Sequence, residues 1–219
     1  MTPAAIIFDF DGVIADSEVR ANQSLAESLT AIGMATSYDE CLRDYYGHNW
    51  QETQRRIEAR FGRPLPADFR ERHRERARAR FMDGFDAVPG AADFLAGLGA
   101  MPRAIASSSR AEYIGWALDC FGLTHHFAGH VYSADGWDRG KPHPDIYLAA
   151  ARGLGLDPAT CLAIEDSPTG ASAALAAGMT VIGFCGAGHI VDRAAHGALL
   201  REVGVHHVAC GFDEIVVAA

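Results

Sequence analysis

The chain has 219 residues, 49% hydrophobic and 21% charged, with no tract dominated by one or two residue types, which excludes a disordered or low-complexity protein. A formal net charge of -9 argues against general nucleic-acid binding, and five scattered cysteines without a Cys-x-x-Cys pair suggest neither a disulfide framework nor a zinc site. The charge is uneven: residues 17–80 carry 12 arginines against 10 acidic residues, whereas the rest carries 7 basic and 18 acidic residues, and the single lysine of the chain is Lys141.

Residues 4–8 form the first of four continuous apolar runs. The run is too short to span a membrane and leads directly into Asp9 and Asp11, so a soluble, cytoplasmic protein without a membrane partner is expected. The pattern then turns helical. Val19, Leu25, Leu29 and Ile32 recur along one face, and further helical segments surround Cys41, Ile57 and residues 70–81. The arginine-rich stretch 69–78 reads as a solvated helix face, because Glu71 and Glu75 stand within pairing distance of several arginines. The second apolar run comes only at 104–106, about a hundred residues after the first and far more than a crossover needs. An inserted helical domain, residues 17–80, is therefore predicted, with residues 1–16 and 81–219 forming the other domain.

Beyond the second run, a helix is predicted over 111–121, ending at Gly122. His125, His126 and His130 follow in a turn and read as surface or structural residues. A second helix over 144–154 starts on Pro144 and ends at Gly155; a strand follows at 161–164, then a helix over 168–177 that starts on Pro168 and ends at Gly178. A fourth run covers 180–184, Gly183, Gly186 and Gly188 read as a loop, and a weaker strand covers 205–209. Continuous apolar strands alternating with helices predict an α/β fold with a doubly wound parallel sheet.

In such a sheet, ligands gather at the carboxyl ends of the strands. Here three ends carry chemistry: Asp9-Phe10-Asp11-Gly12, Ser107-Ser108-Ser109, and Glu165-Asp166-Ser167. Glycine after the two aspartates allows a turn that could face both at one cavity. Four acids from two strand ends would repel one another strongly unless a hard divalent ion balanced them; magnesium fits, because it prefers oxygen ligands and works with few carboxylates plus a substrate phosphate. Ser107 with the following backbone N–H groups, and Lys141 held between a glycine and two prolines, are candidate phosphate donors.

At these residues the sequence resembles the haloacid dehalogenase superfamily, in particular the phosphatases and phosphomutases with a helical cap between the first two core strands, the group of beta-phosphoglucomutase. The resemblance rests on Asp9-Phe10-Asp11-Gly12-Val13, Ala106-Ser107-Ser108, Gly140-Lys141-Pro142-His143-Pro144 and Glu165-Asp166-Ser167-Pro168, in that order along nearly the whole chain. It implies that Asp9 attacks phosphorus to form an aspartyl-phosphate, and that Asp11 protonates the leaving alkoxide and later deprotonates water. It further implies Mg2+ held by Asp9, the Asp11 carbonyl and Asp166, with Glu165 as a further acid. Ser107, Ser108, Gly12 and Lys141 would hold the phosphoryl group.

The presence of Asp11 speaks against a dehalogenase, since a halide leaves without protonation. The stretch after Ser17 lacks the cap histidine of beta-phosphoglucomutase-like mutases, which favours hydrolysis, although a phosphomutase stays open. Within the cap, His48, Asn49 and Trp50 match the substrate-specificity loop, against the plainer reading that the aromatics pack on neighbouring helices. The expected substrate is a small phosphorylated metabolite, a sugar or polyol phosphate, bound under a cap hinged near Asp16-Ser17 and Asp83-Gly84. The rival from another class is a non-catalytic binding protein on the same scaffold. No oligomeric state is assigned, a monomer being compatible with the sequence.

Overall fold

The computed structural model describes residues 2–45, 50–82, 86–133, 135 and 139–217. In chain order, β1 (Ala5–Phe8) is followed by four helices, α1 (Ser17–Ala31), α2 (Tyr38–Asp44), α3 (Trp50–Phe61) and α4 (Phe69–Met82). Then come α5 (Ala91–Gly97), β2 (Arg103–Ala106), α6 (Ala111–Phe121), β3 (Val131–Tyr132), α7 (Asp145–Gly153), β4 (Cys161–Glu165), α8 (Pro168–Ala176), β5 (Thr180–Phe184), α9 (Arg193–Val203) and β6 (His207–Ala209).

The six strands among the described residues are all parallel, in the order β3-β2-β1-β4-β5-β6. From β1 the chain winds outward through β2 to β3, then returns to lay β4 on the other side of β1 and winds outward again. The order therefore reverses between β1 and β4, which is where an open α/β sheet offers a crevice to ligands. Every residue of β1, β2 and β4 is buried, because helices cover the sheet; α7 packs on β1 to β3 and α8 on β4 and β5. The chain contains no described helix long and apolar enough to cross a membrane.

The sheet departs from the sequence reading in instructive ways. Gly183 is not loop but the fourth residue of β5, and a Cβ there would stand 3.0 Å from Leu200 Cδ1, so glycine lets α9 approach the sheet. β2 begins one residue earlier than the apolar run, at Arg103, which is buried in spite of its charge. Its guanidinium donates to the Leu95 carbonyl at 2.5 Å, to the Met101 carbonyl at 3.0 Å and to the Gly99 carbonyl, so it satisfies the carboxyl-terminal end of α5.

The chain separates into two compact units, Met1–Asp16 with Asp86–Ala219, and Ser17–Phe85. In the first unit the two linkers pair with each other: Asp16 N–H donates to the Asp86 carbonyl at 3.1 Å and Val88 N–H to the Ile14 carbonyl at 2.9 Å. Asp83 and Gly84 lie outside the described residues.

Among its described residues, the regular elements of the second unit are all helices. Leu25, Leu29, Met34, Cys41, Ile57 and Phe69 form its core, and α2 starts on a capping box in which Ser37 Oγ accepts the Glu40 N–H at 3.2 Å while Glu40 accepts the Ser37 N–H at 2.8 Å. On the arginine-rich α4, Arg72 pairs with Asp68 at 3.0 Å and Arg80 pairs with Glu27 of α1.

His73 of α4 stacks on Trp50 and Phe69 with ring centroids 6.0 and 6.1 Å away, and its Nδ1 lies 3.2 Å from Ser28 Oγ. Burial, followed by the charges of Arg76 and Arg74, pushes its pKa down to about 4. A histidine lowered on folding contributes stability that is present above its unfolded value near 6.5 and is lost as the pH falls towards 4. The loss attributable to His73 is at most about 3 kcal/mol. His73→Gln is expected to flatten the fall of Tm between pH 6.5 and 4; a wild-type and variant profile of equal slope contradicts this account.

Candidate active site

The backbone brings the first acids together before any side chain acts. Asp9 N–H donates to the Ile164 carbonyl at 2.9 Å, which extends the β1–β4 pairing by one step and sets Asp9 beside Glu165 and Asp166. The chain then turns sharply: Ile14 and Ala15 N–H both donate to the Phe10 carbonyl, at 2.8 and 2.9 Å. Gly12 has φ +80°, and a Cβ at this position would stand 1.9 Å from Asp166 Oδ2. Glycine is required here twice over, for its left-handed backbone and for the close approach of the acid.

Lys141 is the centre of the arrangement. Its side chain is 6% exposed, and Nζ donates to Asp9 Oδ1 at 2.7 Å and to Glu165 Oε1 at 2.5 Å. Tyr147 of α7, fully buried, closes the cage: its hydroxyl donates to Glu165 Oε1 at 2.8 Å and lies 3.3 Å from Nζ. The other Glu165 oxygen accepts the backbone N–H and hydroxyl of Ser167 at 3.1 and 3.0 Å, while Ser167 Oγ also accepts the Gly170 N–H at the start of α8. Both oxygens of Glu165 are thus engaged in holding the lysine and the helix start.

Burial opposes the charge on Lys141, but Asp9 and Glu165 outweigh it and raise the pKa above that of a free lysine. For Asp9 the balance differs. Burial raises its pKa, Lys141 lowers it and Glu165 raises it again, leaving the carboxyl at about 7.

The structure places Ser107, buried, directly after β2. Its Oγ accepts the Ser109 N–H at 3.0 Å, which leaves its own hydrogen to be donated elsewhere, whereas Ser108 is exposed. Asp11 is half-buried, and its carboxylate accepts hydrogen bonds from Ser109 Oγ at 2.5 Å and Tyr113 Oη at 3.2 Å. Tyr113 is steadied by an edge contact with Phe10, ring centroids 5.9 Å apart.

Asp166 is buried; His189 Nε2 lies 3.5 Å from its Oδ2, and His196 Nε2 lies 2.5 Å from its backbone carbonyl. Burial, then the neighbouring His196, pushes the His189 pKa down to about 4 and keeps that imidazole neutral near pH 7. Of the proposed cap residues, Trp50 stacks on Phe69 at 6.2 Å within its own unit; His48 and Asn49 lie outside the described residues.

Whether these residues suit a divalent ion can be judged from their charges. One oxygen each of Asp9, Glu165 and Asp166 falls within 4.8 Å of the others, while Lys141 supplies a single ammonium. Ionising all three acids would leave two negative charges in a buried space, and burial already pushes Asp9 up to about 7. A hard dication with oxygen ligands answers that deficit, so the donor set fits one.

Tyr147, Tyr113, His189 and His196 were not singled out from the sequence, and Ser109 only as part of the Ser107-Ser108-Ser109 strand end. Tyr147 alone carried a local signal: it is six residues beyond Lys141, on a helix that begins directly after the Lys-Pro-His-Pro turn.

A model of the haloacid dehalogenase-like hydrolases matches residues 3–178. A HAD family hydrolase from Deinococcus radiodurans, solved with bound phosphate and sodium, is 33% identical and superposes with a TM-score of 0.85 over 97% of this chain and 93% of its own. Hexitol phosphatase A of Escherichia coli is 31% identical over 80% of this chain and 80% of its own length. The fructose-1-phosphate phosphatase of the same organism is 28% identical over 82% of this chain and 95% of its own.

Proposed function

The chain belongs to the haloacid dehalogenase-like hydrolases and is a phosphatase of that family, and we propose that it hydrolyses a small sugar or polyol phosphate with Mg2+ through an aspartyl-phosphate on Asp9. The observation that carries this reading is the buried bridge of Lys141 to Asp9 and Glu165 at the strand-order reversal, with Asp166 in the same acidic group.

Because Glu165 spends both oxygens on Lys141, Tyr147 and Ser167, the metal ligands are assigned to Asp9 and Asp166, with the Asp11 carbonyl alongside, and Glu165 to fixing the lysine. When bound, Mg2+ supplies charge for the transferring phosphoryl group and holds the Asp9 carboxyl ionised near neutral pH.

An Asp9 oxygen attacks phosphorus, the P–O bond to the substrate alcohol breaks, and Asp11 gives its proton to the departing oxygen. Water then attacks the phosphoryl group, Asp11 takes up one of its protons, and Asp9 is released with inorganic phosphate. Lys141, the Ser107 hydroxyl and backbone N–H groups near Gly12 and Ser108 are assigned to the phosphoryl oxygens, where preorganised charge contributes most. The four-helix unit is assigned the selection of the sugar or polyol.

Phosphate release from a panel of hexose phosphates, hexitol phosphates and short phosphorylated acids tests the reading. The expected result is release that falls to background in EDTA, returns with Mg2+ and is highest for the sugar or polyol phosphates. Turnover confined to the short acids overturns the substrate class, and conversion of glucose phosphates without net release, given a bisphosphate activator, would make the protein a mutase. A folded sample without turnover on any substrate would restore the binding-protein reading.

A further inference from the structure

The loop between β5 and α9 is built against the acidic site although it contributes no acid. Gly188 N–H donates to both Asp16 oxygens, at 3.2 and 3.3 Å, which ties the loop to the end of the segment that carries Asp9 and Asp11. The next residue, His189, is 3% exposed, and its Nε2 faces Asp166 Oδ2 at 3.5 Å. Three residues later Asp192 caps α9 by accepting the Ala195 N–H at 2.9 Å, and this fixes the first turn from which His196 Nε2 reaches the Asp166 carbonyl at 2.5 Å.

Gly12 completes the enclosure. A Cβ there would meet Asp166 Oδ2 at 1.9 Å and His189 Cε1 at 3.2 Å, so the turn after β1 and the imidazole press on the same carboxylate. Asp166 therefore has one imidazole 3.5 Å from its side chain and another 2.5 Å from its backbone carbonyl, both from a segment far along the chain.

We infer that His189 and His196 are positioning residues of the metal site, orienting Asp166 so that its remaining carboxylate edge is presented to the divalent ion. The inference rests on the proposed metal role of Asp166. Its physical basis is that a ligand carboxylate with a fixed partner loses little further freedom on binding metal, and that such outer partners control affinity about 10–100-fold.

The test measures Mn2+ affinity directly, by the loss of the free-ion electron paramagnetic resonance signal on titration, for the wild type, Asp166→Asn, His189→Met and His189→Gln. Met and Gln resemble histidine in reach, but only Gln keeps an N–H donor. Expected are weak binding by Asp166→Asn, binding by His189→Met weakened about tenfold or more, and return by His189→Gln to within about threefold of wild type. A purely structural histidine would lower Tm in both variants without separating their affinities. Equal affinity of His189→Met and wild type overturns the inference while the metal reading stands; wild-type affinity in Asp166→Asn overturns the metal reading itself. Where His189→Met does not fold, His196→Met is read in its place by the same criteria.

Discussion

Asp9→Asn is expected to lower phosphate release by at least about four orders of magnitude while leaving the protein folded. The amide has nearly the shape of the carboxyl but no nucleophilic oxygen, so the loss falls on the chemical step. Stability should not fall with it. Burial pushes the Asp9 pKa up from 3.8 to about 7, so the metal-free fold prefers the neutral form. A carboxyl raised on folding contributes stability that is complete below its unfolded value and is lost as the pH rises through its folded value. The wild type without metal should therefore lose stability between pH 4 and 7, and Asp9→Asn should lack that loss. Single-turnover phosphate release and Tm against pH in EDTA check both parts. Residual turnover within a hundredfold of wild type would remove Asp9 from its assigned role.

Lys141→Met is expected to be the most damaging single change to stability in the site, at about 3–5 kcal/mol, because it leaves buried acids without their cation. Glu165 is 0% exposed and Asp9 is buried, so neither can recruit water to compensate. Added Mg2+ should recover part of the loss by supplying charge to the same acids, whereas turnover should stay at least about a hundredfold down because the phosphoryl oxygens have lost a fixed donor. Urea unfolding with and without Mg2+ measures the first effect. A variant as stable as wild type in EDTA would mean that the acids are balanced by something other than Lys141.

Lys141→Arg should not repair the site. Nζ sits 5.0 Å from the Tyr147 ring centroid between two carboxylates, a volume suited to a compact ammonium rather than a planar fork. That requirement accounts for the one lysine in a chain that uses arginine at every other basic position outside histidine.

The parts legible in the sequence were those written in consecutive residues. Asp9, Asp11 and Gly12 stand together after β1, Glu165 ends β4 with Asp166 next, and the buried strands read as unbroken apolar runs because both faces of the sheet are covered. β3, two residues long, is too short to have a periodicity, and it exists because Ile105 and Ser107 N–H donate to the His130 and Tyr132 carbonyls across the sheet edge. α5 is short, and α9 begins among exposed residues, so neither was read from apolar spacing.

The site residues that escaped notice share one cause. Tyr147, Tyr113, His189 and His196 lie on helices or loops whose aim depends on packing, and no local pattern says that His189 and Gly12 will press on one carboxylate. Glu165 is legible as half of the Glu-Asp pair, whereas its hydrogen bonds to Lys141, Tyr147 and Ser167 have no local signature. Trp50, which its position in the chain assigns either to the substrate-specificity loop or to packing between helices, stacks on Phe69 and His73.

The most direct measurement is acid-quenched single turnover with the best sugar or polyol phosphate, followed by peptide mapping of the phosphoryl group. The account predicts a transient phosphoryl group on Asp9 that forms with Mg2+ and is absent in EDTA and in Asp9→Asn. Complete release of phosphate over a time course in which Asp9 never carries the group, or its appearance on another residue, would contradict it.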